Sequence, residues 1–288
     1  MSSKIFKFIL FADDTSLFYS HKNKHDAESI LNTELSNISQ WLAANKLSLN
    51  VGKSKLLVFS NQKSNSKVSK RPESEKTGTD HFELLINGET LKEVNFAKYL
   101  GVLIDNKLKW TNQIDAINLK VSKGNGLLAK IRHYVPSSVL RSLYFSFINP
   151  HIDYNLLNWS MAASTNLESI ENKVKKAVRI ISFKDRNEPS TPLFKQLNIL
   201  PFTYSIKTKL AKFMWKLYNN KLPTTLSANF RTSSRTHISH YESRLVSFDK
   251  FILFEGPKIW NNIPNSIRIK RSLKTFSKSL SIHFIDNL

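Results

Sequence analysis

Two adjacent carboxylates, Asp13 and Asp14, stand in the stretch Phe11-Ala12-Asp13-Asp14-Thr15-Ser16 between two short apolar runs. Ile5-Phe6-Lys7-Phe8-Ile9-Leu10 precedes them, and Leu17-Phe18-Tyr19-Ser20 follows. Both runs are rich in aromatic and branched residues and predict strands, which puts the acidic pair at the tip of a β-hairpin. Neighbouring carboxylates repel one another unless a cation or hydrogen bonds offset the charge. Mg²⁺ takes carboxylate oxygens and leaves positions for water and substrate phosphates, so the pair suits a metal platform for phosphoryl transfer. Asp is also favoured in turns for local reasons, and the tetrapeptide by itself leaves a plain turn open.

The charge balance points the same way. The chain of 288 residues carries 43 Lys and Arg against 22 Asp and Glu, net +21. The excess is uneven: residues 1–109 hold 16 basic and 12 acidic side chains (net +4), residues 110–288 hold 27 and 10 (net +17). Such an excess attracts polyanions, with salt-dependent phosphate binding, and favours nucleic acid over an anionic membrane surface. A hydrophobic fraction of 41% with 11% aromatics supports folding rather than disorder. No apolar run reaches the ~20 residues of a membrane span, and no membrane partner is expected. Residues 1–12 lack a signal-peptide cleavage site. With no cysteine there is no disulfide, zinc knuckle or thiol chemistry, which fits an intracellular protein of cytoplasm or nucleus. His237 and His240 are too few for a metal site and suit a polar surface.

The elements that must position these residues follow from periodicity. Ala27, Ile30, Leu31, Leu35, Ile38, Trp41 and Leu42 recur at three- and four-residue steps and predict a helix over about 25–44. Leu47–Asn50 and Leu56–Phe59 read as short strands around the basic turn Val51-Gly52-Lys53-Ser54-Lys55. Residues 61–80 hold one large aliphatic, Val68, and read as a flexible linker or insertion. Phe82–Ile86 and Glu89–Val94 flank Asn87-Gly88, a tight-turn dipeptide, and Phe96–Ile104 reads as one further strand. Beyond Trp110 the pattern is helical, with helices at about 111–133, 137–149, 166–183 and 203–220. The Ser-, Arg- and His-rich stretch 228–245 reads as irregular; an aromatic-anchored turn at Gly256–Pro264 precedes a last helix near 272–285.

Taken together, five ordered segments resemble the C-terminal part of a non-LTR (LINE-type, jockey-like) retrotransposon reverse transcriptase. Phe11-Ala12-Asp13-Asp14 resembles the acidic hairpin of the polymerase palm. Trp41-Leu42-Ala43-Ala44-Asn45-Lys46-Leu47-Ser48-Leu49-Asn50-Val51-Gly52-Lys53-Ser54-Lys55 resembles the palm motif that follows it. Tyr99-Leu100-Gly101-Val102-Leu103-Ile104-Asp105 resembles the primer-grip region. Asn149-Pro150-His151-Ile152-Asp153-Tyr154, ending in Trp159, is similar to the thumb signature, and Gly256–Pro264 to the C-terminal tail. The resemblance implies an α+β fold: a partial polymerase palm of antiparallel hairpins plus helix, then a mostly α-helical thumb and C-terminal region. The implied division is a partial palm at 1–60, a linker at 61–80, a primer-grip-like hairpin at 81–110, a helical thumb-like region at 111–225 and a tail at 226–288.

The roles implied by resemblance are those of an RNA-directed DNA polymerase using Mg²⁺. Asp13 would be the direct metal ligand and Asp14 the second acid, in chemistry that activates a primer hydroxyl and stabilises departing pyrophosphate. Lys53 would assist that departure as a charge or proton donor. Tyr99, Leu100 and Gly101 would position the primer end. Lys120, Lys123, Lys130, Arg132, Lys173, Lys175, Lys176 and Arg179 would track the phosphates of an RNA template and DNA primer. The sequence departs from the family pattern in one respect. Fingers and an earlier palm carboxylate should precede the acidic hairpin, yet Met1 lies a dozen residues before Asp13. The expectation is a truncated copy, inert by itself or completed by an intact polymerase. The alternatives are a non-catalytic basic nucleic-acid-binding module and a non-functional remnant. Asn155 stands where relatives often carry cysteine.

Overall fold

The computed structural model describes residues 5–59, 81–227, 230–232, 238–240 and 251–288; the linker expected at 61–80 lies outside them. The chain forms an α+β structure of two compact units, one comprising residues 1–99 and 104–107, the other 100–103 and 108–288.

In the first unit, β1 (Lys7–Phe11) and β2 (Asp14–Phe18) pair antiparallel, Phe11 opposite Asp14. Phe6, Phe8, Leu17 and Tyr19 share one face of this hairpin. They pack on the apolar stripe of α1 (Lys24–Ala44), notably Leu31, Leu35, Ile38 and Leu42. Asn23 caps that helix, its side chain accepting from the His25 amide at 3.0 Å and satisfying one orphan donor of the first turn. After β3 (Lys55–Leu56) come β4 (Leu85–Ile86) and β5 (Glu89–Thr90), joined through Asn87 and Gly88. Their φ values of 54° and 80° are those a type I′ hairpin turn needs. Helix α1 binds the edge of β4 with side chains: Asn32 donates to the Glu83 carbonyl and accepts from the Leu85 amide, at 2.9 and 2.8 Å. β6 (Lys92–Glu93) runs parallel to β3.

Here the structure corrects two expectations. Leu47–Asn50 forms no strand, and of the run Leu56–Phe59 only Leu56 does so, together with Lys55 of the expected turn. The run Phe96–Ile104 is not one strand but two, β7 (Phe96–Tyr99) and β8 (Val102–Asp105), turning at Leu100 and Gly101.

The second unit is helical. α2 (Thr111–Ile131), α3 (Ser137–Phe147), α4 (Asn149–Asp153), α5 (Leu156–Trp159) and α6 (Ser164–Ile181) are followed by α7 (Ser190–Leu197) and α8 (Phe202–Tyr218). α2 and α6 lie side by side, burying Ile114, Ile117, Val121 and Leu128 on the first and Ile170, Val174, Ala177, Val178 and Ile181 on the second. Gly124 permits a close approach: a Cβ there would stand 2.5 Å from Cγ1 of the fully buried Ile148. After a short helix α9 (Thr224–Ser227), β9 (Phe230–Thr232) and β10 (Ile238–His240) form an antiparallel pair inside the stretch expected to be irregular. α10 (Gly256–Asn262), α11 (Asn265–Arg268) and α12 (Leu273–Asp286) close the chain. The aromatic anchor expected near Trp260 is a helix, and Trp260 packs with Met214, Trp215, Phe276 and Leu280 in the core shared by α8, α10 and α12.

Acidic hairpin and candidate nucleic-acid interface

Asp13 is the second residue of a two-residue loop and Asp14 the first residue of β2, so both stand at the hairpin tip. Ala12 enters the loop at φ 51°, a conformation that a Cβ disfavours. Both carboxylates are exposed. Asp14 shares the outer face of the hairpin with Ile9 and Phe11, which are 47% and 62% exposed. Lys53 is exposed too, on a 3-10 turn at Val51–Lys53 whose cap is the Asn50 side chain, accepting from the Lys53 amide at 3.1 Å. Among the described residues no three His, Cys, Asp or Glu side chains converge on a possible metal position. Two carboxylates match the protein's usual share of a single, mostly hydrated Mg²⁺. They do not make up the ligand set of a two-ion centre.

The turn at Leu100 and Gly101 has φ 44° and 83°, again the type I′ pattern, which a leucine enters against its own Cβ. The Tyr154 hydroxyl donates to the Leu100 carbonyl at 2.6 Å. A Cβ on Gly101 would meet the Tyr154 ring at 3.4 Å. The Tyr154 carbonyl in turn accepts from the Trp159 indole at 2.9 Å, and Trp159, fully buried, stacks on Phe202. Two segments far apart in sequence, Leu100–Gly101 and Asn149–Trp159, are thus one structural unit. Sequence reasoning singled out both and did not join them. Tyr99 ends β7 and is half-buried.

The eight basic residues divide by environment. Lys120, Lys123 and Lys130 project within one arc of α2, and Lys176 from the outer side of α6; all four are exposed and have no ion-pair partner among the described residues. The other four are engaged in holding the fold. Lys173 donates to the Ser122 hydroxyl at 2.7 Å while its carbonyl accepts from the Asn125 amide at 2.9 Å, which stitches α6 to α2. Lys175 pairs with Glu171 one turn back at 2.9 Å. Arg179 donates to the Glu188 carbonyl at 2.7 Å. Arg132 stacks on the Phe183 ring at 5.3 Å. His151 lies close enough to Lys120 that burial first, and that ammonium second, hold its imidazole below the ordinary histidine value. Lys120, Lys123 and Lys130 on α2 and Lys176 on α6 are thus four exposed cations of the kind that meets phosphates without reading sequence.

The chain is 23% identical over 223 residues, 75% of its length, to the probable RNA-directed DNA polymerase from transposon X-element of Drosophila melanogaster. It is 24% identical over 228 residues, 78% of its length, to the RNA-directed DNA polymerase from mobile element jockey of the same organism. No family model matches the sequence, and no solved structure matches it. The chain spans about a quarter of the curated relatives it matches, the aligned part being 23% of each. The similarity, low in identity and confined to part of each relative, is to RNA-directed DNA polymerases of Drosophila mobile elements.

Proposed function

We propose that these residues derive from the palm and thumb of a non-LTR retrotransposon reverse transcriptase and, by themselves, hold template–primer without extending it. The observation that carries the binding half of this reading is the set of four exposed lysines on α2 and α6 that have no ion pair among the described residues, within a region of net +17. Each cation free of an internal partner gives up no ion pair when it meets a phosphate and releases a counterion as it does so. In this reading Lys173, Lys175, Arg132 and Arg179 act mainly by holding the helices together, since drawing them to a phosphate costs a bond they already make. The pinned turn at Leu100 and Gly101, next to Tyr99, fits a role in placing a primer end, because a backbone locked by Tyr154 presents its groups in one geometry.

The catalytic half of the reading is narrower. Asp13 and Asp14 would supply the carboxylate ligands of a Mg²⁺ whose chemistry is to activate a primer hydroxyl and to neutralise a leaving phosphate. What the chain's own residues do there is hold two negative charges at a rigid tip, with Lys53 a candidate charge near departing pyrophosphate. Two exposed carboxylates, with no third acid converging on them among the described residues, are too few for a two-ion reaction. Polymerisation therefore calls for acidic residues beyond those described, supplied by the same polypeptide or by an intact polymerase.

Titration of a labelled RNA–DNA hybrid, followed by fluorescence anisotropy at several salt concentrations, tests the binding half. The hybrid binds, and its affinity falls steeply with salt. A triple variant, Lys120→Gln, Lys123→Gln and Lys176→Gln, flattens the slope of log K against log salt by about three, roughly one for each phosphate left without its lysine. Equal slopes for the two proteins would refute the assignment of this face.

A further inference from the structure

A cleft of about 260 Å³ opens in the second unit between the α3–α4 junction, the end of α7, the first half of α8 and α12. Its charged floor is a set of three side chains that the reading above does not use. Lys209 on α8 pairs with Asp153 on α4 at 2.6 Å. Lys212, three residues along the same helix, is half-buried and has no ion pair or hydrogen bond among the described residues. Burial first, and the Lys209 ammonium second, pull its pKa below the ordinary lysine value, and the Asp153 carboxylate opposes them. The one carboxylate lining the cleft is ion-paired with Lys209, and a second, partly desolvated cation has no ion pair of its own among the described residues. Such a cation is costly to hold unless an anion comes to it.

Hydrogen-bond donors share the cleft with that cation. The Asn149 amide and the Ser281 hydroxyl line the same cleft, and neither has a side-chain partner among the described residues. The Phe145 ring forms an apolar wall, 39% exposed, with the Arg141 guanidinium stacked on it at 4.9 Å. Arg141 itself is committed to the carbonyls of Leu197 and Asn198, at 2.5 and 3.2 Å, and so holds the end of α7 in place at the cleft's edge. An ammonium and two neutral donors lining one cleft from three elements suit an anion with several acceptor oxygens better than a carboxylate with two.

We infer that this cleft binds a single phosphate group, with the Lys212 ammonium as its counter-charge and the Asn149 amide and Ser281 hydroxyl as hydrogen-bond donors. The space exceeds a bare phosphate, so the apolar wall at Phe145 can accept an organic group attached to it. The phosphate can come from a nucleic-acid strand or from a free phosphorylated molecule, and the inference stands without the hybrid-binding reading given above.

Reductive labelling of the full chain with pyridoxal 5′-phosphate tests it. The aldehyde forms an imine with an unprotonated lysine, releasing water; borohydride then reduces the imine to a stable amine, and peptide mapping finds the site. Lys212 or the neighbouring Lys209, whichever amine the bound phosphate leaves free for the aldehyde, is expected to be labelled ahead of the exposed Lys207 and Lys216, and pyridoxal without its phosphate is expected to lose that preference. Inorganic phosphate should suppress the label and acetate at equal ionic strength should not. Suppression by an RNA–DNA hybrid as well identifies a strand phosphate as the occupant; suppression by inorganic phosphate alone identifies a free phosphorylated ligand. Equal labelling by pyridoxal and its phosphate, or equal protection by acetate and phosphate, would overturn the inference, because the labelled lysine would then be merely a reactive amine. Hybrid binding measured in parallel by anisotropy reports the α2–α6 face separately, so its failure would leave the labelling result intact.

Discussion

Replacing Gly124 by alanine sets helix propensity against packing. In an exposed helix the change would stabilise by roughly 1 kcal/mol. Here the new methyl would lie 2.5 Å from Ile148 Cγ1 and 3.2 Å from its Cδ1, with the Phe147 carbonyl 3.5 Å away on the same side. An ordinary carbon–carbon contact needs about 3.5–4.0 Å, so the ethyl arm of Ile148 has to move by about 1 Å. Ile148 is fully buried where α3 gives way to α4, so the arm must move against packed neighbours. Overpacking of this kind costs about 1–3 kcal/mol. After subtracting the propensity gain, the variant should be less stable by up to about 2 kcal/mol.

A double-mutant cycle with Ile148→Ala separates the two terms. Ile148→Ala alone should cost about 2–5 kcal/mol through lost burial and a cavity. In that background Gly124→Ala meets no Cγ1 and should stabilise, giving a coupling of about 1–3 kcal/mol. Urea unfolding of the four proteins, followed by tryptophan fluorescence, measures it. Additive effects, with Gly124→Ala stabilising the parent protein, would refute the close approach of α2 to Ile148 and the placement of the basic face that rests on it.

Further expectations rest on single interactions. Tyr154→Phe removes the bond to the Leu100 carbonyl; with Tyr154 half-exposed, water replaces part of it and the loss is about 0.5–1 kcal/mol, while amide hydrogen exchange at Gly101 and Val102 should rise more than elsewhere. Burial holds the Tyr144 phenol well above its ordinary pKa of 10.0. Below pH 10 both folded and unfolded states keep it neutral; above pH 10 the unfolded state ionises first, so unfolding free energy should fall as pH rises, and less so in Tyr144→Phe. Glu171→Gln breaks a surface pair with Lys175 and should change the melting free energy by no more than about 0.5 kcal/mol. The β1–β2 hairpin leaves Leu10 and Phe11 67% and 62% exposed, an open apolar edge that favours self-association; light scattering should fall in a Leu10→Lys, Phe11→Lys variant.

Local signals were legible in the sequence and long-range ones were not. Asn87-Gly88 announces its turn because both residues tolerate positive φ without help. Leu100-Gly101 makes the same turn, but its leucine is held there by a tyrosine 54 residues away, so the run Phe96–Ile104 looked like one strand. The long helices follow their apolar period to within a few residues, whereas β3 pairs with β6 across the whole 61–80 segment, which no local pattern encodes. At the candidate site the acidic pair at a hairpin tip was readable from two apolar runs and a short loop. The division of the eight basic residues into free and engaged was not, since Lys173 depends on Ser122 and Arg179 on the Glu188 carbonyl. The Lys209–Asp153–Lys212 set gave no sequence signal, because one member lies on α4 and two on α8.

Primer extension on an RNA template with Mg²⁺ and all four deoxynucleotides, at a salt concentration where the hybrid is bound, tests the central claim most directly. The protein and its Asp13→Asn variant should bind the hybrid alike, and neither should lengthen the primer. Extension by the parent protein that Asp13→Asn abolishes would contradict the claim that these residues hold template–primer without supplying a complete polymerase centre.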